Sequence, residues 1–154
     1  MDARWMSRLA AALVGAIAAC LTSAQAQTSK DLVGCWRVQS LVIDPVGRKI
    51  EPFGEKPAGQ LIFTDDGHMS SIIMRPDLPA EWQATGDRVT TTLITYFGTY
   101  ELKGKTLTIK AEGSSRVDWR GQILTRTVDI VPKSELVFET IPPSVPSRIT
   151  AKPC

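Results

Sequence analysis

One histidine, three cysteines and a scatter of hydroxyls are what this 154-residue chain offers to chemistry near neutral pH. His68 sits in sequence among Asp65, Asp66, Ser70 and Ser71, a grouping that invites a nucleophile–base reading, because histidine titrates in the physiological range. Spacing argues against it. On one strand face His68 and Ser70 stand roughly 6.6 Å apart at ~3.3 Å of rise per residue, whereas a base must come within about 3 Å of its nucleophile. His68 directly follows a turn and reads as a solvated residue, although Ser40 or Ser71 could still meet it from elsewhere in the sheet. A zinc site needs three or four converging ligands, which one histidine and distant cysteines do not supply. No glycine-rich phosphate loop precedes a helix, and Cys35 has no Cys-x-x-Cys partner. The pattern assigns no catalytic residue, no metal ligand and no cofactor.

Large side chains at alternating positions make a better case for binding. Phe63, Tyr96, Tyr100, Arg126 and Phe138 are the candidate ligand contacts. A tyrosine brings a hydroxyl that needs a partner when buried. Arg126 shares a strand face with Leu124, Val128 and Ile130; if that face is inward, the guanidinium requires an acceptor, either a protein carboxylate or an acidic headgroup. If the face is outward, Arg126 is a solvated charge. Trp119, between Asp118 and Arg120 in a turn, reads as a rim aromatic or a plug at one end of the fold.

The elements that would position these residues are strands. From Val33 onward apolar and polar residues alternate, with turn residues every eight to twelve positions, the mark of an all-β sandwich or barrel. Strands are predicted over Val33 to Asp44, Gln60 to Thr64, His68 to Arg75, Thr95 to Lys103, Thr106 to Glu112, Gln122 to Val131, Glu135 to Thr140 and Ser147 to Ala151. Asp65-Asp66-Gly67 is a strong hairpin signal. The proline-bearing stretch from Met74 to about Arg88 reads as a long loop, with a short helical turn near Asp87 to Thr92. In the first strand the alternation points Trp36, Val38, Ser40 and Val42 inward and Cys35 outward. Eight antiparallel strands without covering helices leave two solutions, a sandwich or a sheet closed on itself; closure removes exposed edges and leaves an interior filled by side chains or by one small ligand.

The first 26 residues read as a signal peptide rather than part of that domain. Arg4 and Arg8 supply a positive start, Leu9 to Ala19 an apolar run, and Ala24-Gln25-Ala26 a cleavage site. Eleven apolar residues rise only about 16 Å as a helix, too short for ~30 Å of bilayer hydrocarbon. Ile17-Ala18-Ala19-Cys20 offers a competing lipobox, in which Cys20 would be lipidated. Of the 18 basic and 16 acidic residues, Arg4, Arg8 and Asp2 lie in the leader, leaving 16 against 15. Nothing in that balance points to nucleic acid. Cys35 and Cys154 remain in residues 27–154; in an oxidising compartment they either form a disulfide or are two unrelated thiols.

Three segments resemble the bacterial and fungal lipocalin-like domain family. Leu32-Val33-Gly34-Cys35-Trp36-Arg37 is similar to the Gly-x-Trp opening of lipocalins. The long segment from Pro52-Phe53-Gly54 through Gly59-Gln60-Leu61-Ile62-Phe63-Thr64-Asp65-Asp66-Gly67-His68 to Met74-Arg75-Pro76 is the most specific, and Tyr96-Phe97-Gly98-Thr99-Tyr100-Glu101 follows in the family's order. The likeness runs from about Asp31 to Lys152, and it departs from the family in a shortened helical stretch around Arg88. It implies a closed antiparallel barrel of about eight strands with a central cavity and, by analogy, binding of a small hydrophobic molecule. The expectation is an exported, periplasmic or secreted monomer holding a lipid-like or aromatic molecule, with or without an acidic group. Two alternatives stand beside it. One is an isomerase, cyclase or hydrolase using the same cavity with His68, Tyr96 or Tyr100 as acid–base groups. The other is a solid-barrel envelope protein whose only membrane link is an outer-membrane lipid anchor on Cys20.

Overall fold

The computed structural model describes residues 27–44, 47–77, 93–140 and 144–154. A four-residue helix α1 (Ser29–Leu32) leads into eight strands, β1 (Gly34–Ile43), β2 (Ala58–Phe63), β3 (His68–Met74), β4 (Leu93–Lys103), β5 (Thr106–Ser114), β6 (Ile123–Val131), β7 (Glu135–Thr140) and β8 (Ser147–Pro153). Each strand pairs antiparallel with the next, and β8 returns to β1, so the sheet is a closed barrel. All eight predicted strands are present, with no end displaced by more than two residues. The helical turn expected near Asp87 to Thr92 lies outside the described residues.

Alternation dictates which side chains enter. On β5, Leu107, Ile109 and Ala111 are fully buried, while Thr106, Lys110 and Glu112 face water. The same period places Leu61 and Phe63 of β2, and Leu136 and Phe138 of β7, inside, as antiparallel strands with one wet face require. The β2–β3 hairpin turns at Gly67, whose φ of 85° lies in the left-handed region that favours glycine.

β1 corrects one expectation. Trp36 and Val38 point inward, but the register of β1 against β8 slips between Val38 and Ser40, leaving Gln39 as the extra residue of a bulge. A bulge inverts the parity of everything beyond it. Leu41 and Ile43 therefore pack against the interior, while Ser40 and Val42 turn to the outer wall, where the Ser40 and Thr150 hydroxyls lie 2.7 Å apart. A second slip separates Phe97 and Gly98 on β4 from Gly113 and Ala111 on β5. There the two backbones approach so closely that a Cβ on Gly98 would lie 1.9 Å from the Lys110 carbonyl oxygen.

The two ends of the barrel differ. At one end lie the β2–β3, β4–β5 and β6–β7 hairpins and the start of β1, and this end is plugged. Leu32 of α1 is completely buried beneath it, and the Trp36 indole donates to the Leu32 carbonyl at 2.7 Å. The Gln27 side chain donates to the Val128 carbonyl at 2.6 Å and accepts from the Ile130 amide at 3.1 Å, securing the segment before α1. On the outer wall at this end a Cys35–Cys154 disulfide joins the first strand to the chain terminus across 119 positions, and the Cys154 amide donates to the Cys35 carbonyl at 3.0 Å.

Closing so long a loop should stabilise the fold by roughly 2–5 kcal/mol. Reducing the bridge is expected to lower the midpoint of thermal unfolding by roughly 7–18 °C, read by calorimetry with and without reductant; equal midpoints would contradict the assigned role. Gly98→Ala is expected to cost about 1–3 kcal/mol through overpacking at the second bulge, measured by urea unfolding, and an unshifted urea midpoint would refute the close approach.

Candidate ligand site in the open half of the barrel

Beyond the plug the barrel is solid to about half its height, then hollow. Phe63, Leu107, Val128, Leu136 and Phe138 fill the closed half. Above them a cavity of about 580 Å³ opens toward the β1–β2, β5–β6 and β7–β8 connections. That volume falls among small-molecule sites, typically about 300–1,000 Å³. Its walls are mostly apolar: Leu41 and Ile43 of β1, Phe53 from the β1–β2 connection, Ile73 of β3, Ile94 of β4 and Ile149 of β8. The bulge at Gln39 is what delivers Leu41 and Ile43 to this wall. Phe53, only 2 % exposed, reaches it from a loop.

Two polar side chains stand at the floor. The next inward positions below them, Gly98 on β4 and Val128 on β6, belong to the filled half. Tyr96 is 4 % and Arg126 7 % exposed. Between them stands Trp119 of the 3-10 turn (Val117–Trp119) joining β5 to β6. Its ring meets Tyr96 edge-on at 5.4 Å, and the Arg126 guanidinium lies 5.6 Å from its centroid. Nearer the mouth, the half-exposed Arg116 guanidinium covers the same ring at 4.9 Å and pairs with Asp118 at 2.7 Å. That pairing holds the Asp118 carboxyl below its ordinary range.

Among the described residues Arg126 has no such partner: its one hydrogen bond there runs from Nη1 to the carbonyl of the adjacent Thr125, at 2.8 Å, and no carboxylate lies within ion-pair distance. Guanidinium carries five N–H donors, so among the described residues most of its capacity is unspent. Burial pulls its pKa downward, yet arginine stays charged in proteins. Burial pushes the Tyr96 phenol upward, opposed by the Arg126 charge and by Ser71, its register partner on β3. Tyr96 is thus a neutral hydroxyl at neutral pH. The Ser71 Oγ is fully buried behind it without a well-formed hydrogen bond.

Of the five candidate contacts read from sequence, the fold brings Tyr96 and Arg126 together at the cavity floor. Phe63 and Phe138 are core of the closed half, and Tyr100, packed edge-on against Phe63 at 5.1 Å, donates its hydroxyl to the Thr64 carbonyl at 2.9 Å. Trp119, read from its turn position as a rim aromatic or a plug, lines the cavity with its ring against Tyr96. Leu41, Phe53, Arg116 and Asp118 escaped the sequence reading: the first hides behind a bulge, the others come from connections without periodicity. His68 lies outside the barrel, its side chain 59 % exposed and 3.1 Å from the Asp66 carboxylate. It reaches neither Ser40 nor the cavity, which removes it as an acid or base for chemistry inside. Among the described residues no cluster of His, Cys, Asp or Glu is arranged to hold a metal.

Comparison with known proteins follows the same lines. The model of the lipocalin-like domain family matches residues 33–148. A lipocalin-like protein from Bacteroides uniformis, solved by crystallography, superposes with a TM-score of 0.51 at 20 % identity, covering 80 % of this chain and 99 % of that one. An uncharacterized protein from Bacteroides eggerthii gives a TM-score of 0.48 at 12 % identity, with the same coverage. No curated protein matches. The chain belongs to the lipocalin-like domain family.

Proposed function

We propose that this protein is exported and carries a small, predominantly apolar molecule in the open half of its barrel. The observation that bears the weight is the cavity of about 580 Å³ lined by Leu41, Ile43, Phe53, Ile73 and Ile149 inside a barrel plugged at its other end. A tube filled throughout would have no carrier role. A ligand burying ~300 Å² of apolar surface gains about 7–8 kcal/mol, which bounds the affinity near micromolar. Tyr96 and Arg126 are the proposed polar contacts, and Trp119 the aromatic one. Export is supported by the leader, with its basic start, short apolar run and Ala24-Gln25-Ala26, and by a disulfide suited to an oxidising compartment. The periplasm or the medium is therefore the proposed location.

The neutral dye N-phenyl-1-naphthylamine brightens in apolar surroundings, and titrating it into purified residues 27–154 is expected to give one saturable site in the micromolar range. A linear, non-saturating response would dismiss the carrier reading. Mass spectrometry of the protein recovered from the producing bacterium is expected to find Gln27 at the N-terminus; a diacylated Cys20 there would instead make it a membrane-tethered lipoprotein.

A further inference from the structure

We infer that the cavity is built for a monocarboxylate, which enters head first and rests its carboxylate on Arg126 at the floor; this deepens the carrier reading above and rests on it. Arg126 is 93 % removed from solvent, carries a fixed positive charge and pairs with no carboxylate among the described residues. A charge in that position is costly unless an anion or several hydrogen bonds answer it. The described residues supply one carbonyl, from Thr125. Among the described residues the cavity carboxylate near the same ring is Asp118, and it is engaged by Arg116 closer to the mouth.

The floor presents hydrogen-bond donors to a ligand. Tyr96 keeps its proton at neutral pH and can donate toward the same point, since both its ring and Arg126 pack on Trp119. One guanidinium and one phenol suit a planar two-oxygen anion, which arginine grips with paired parallel hydrogen bonds. A single buried cation matches a single negative charge. The apolar remainder of the ligand then extends past Ile73, Ile149 and Phe53 toward Val145 at the mouth. A neutral molecule of the same shape would leave the guanidinium unanswered, so the site discriminates by charge as well as by shape.

The test is displacement of N-phenyl-1-naphthylamine from residues 27–154 at pH 7.5 by dodecanoate and by dodecan-1-ol. Dodecanoate is expected to displace the dye at roughly 10–100-fold lower concentration than the alcohol. Arg126→Met should abolish that preference while keeping dye and alcohol binding, Arg126→Lys should retain much of it, and Tyr96→Phe should weaken dodecanoate alone by a few-fold. Equal displacement by acid and alcohol in the unaltered protein, or a preference that survives Arg126→Met, overturns the carboxylate site while leaving the carrier reading intact. Should Arg126→Met not fold, Arg126→Gln is read in its place, and a preference that survives it overturns the site in the same way. Failure of the dye to bind at all overturns both.

Discussion

Closure between β1 and β8 is the constraint on which everything else hangs. Trp36 to Ile43 ladder with Ser147 to Pro153, and only through that ladder does an open eight-stranded sheet become a tube with an inside. The covalent bridge from Cys35 to Cys154 and the backbone bond between the same residues fasten the seam at its plugged end. The seam also contains the Gln39 bulge. Without that extra residue Ser40 and Val42 would face inward, and the upper wall would lose Leu41 and Ile43. Seam and cavity are thus set by one local irregularity.

The filled and hollow halves divide the work of stability and binding. Phe63, Leu107, Val128, Leu136 and Phe138, with Leu32 beneath, form a packed core of the kind that stabilises small domains. That core allows the upper half to remain under-packed, and even to hold a guanidinium whose donors are mostly unspent among the described residues. Cavities and lone buried charges each reduce stability, and departures from good packing cluster where function needs them. Arg126, Tyr96 and Trp119 are such a cluster. Arg116 and Asp118 close the stack toward solvent, each answering the other.

Strand positions were legible in the sequence because period-two alternation is a local property. Leu107, Ile109 and Ala111 declare their face without reference to any other strand, and Asp65-Asp66-Gly67 declares its turn. The Gln39 bulge was not legible, since it is a property of how β1 meets β8 and leaves no mark in β1 alone. The division into solid and hollow halves depends on the summed volumes of residues from every strand, so Phe63 and Phe138 could not be told from cavity residues by type. Arg126 was conspicuous as a charge among Leu124, Val128 and Ile130, but its direction became clear only with β6 in register against β5, opposite the fully buried Leu107. Phe53 and Trp119 arrive from connections, where no periodicity reveals a face.

The central claim is that the open half of the barrel receives a ligand with its polar end down, on a charged floor. Intermolecular nuclear Overhauser effects between bound dodecanoate and residues 27–154 test this most directly, because they place each end of the ligand along the barrel axis. The account predicts contacts from the C2 methylene to the Tyr96 and Trp119 rings, and from the terminal methyl to Ile43 and Val145 at the mouth. The reverse order, with the terminal methyl against Tyr96 and Trp119, or a saturated sample with no contacts to cavity residues, would contradict it.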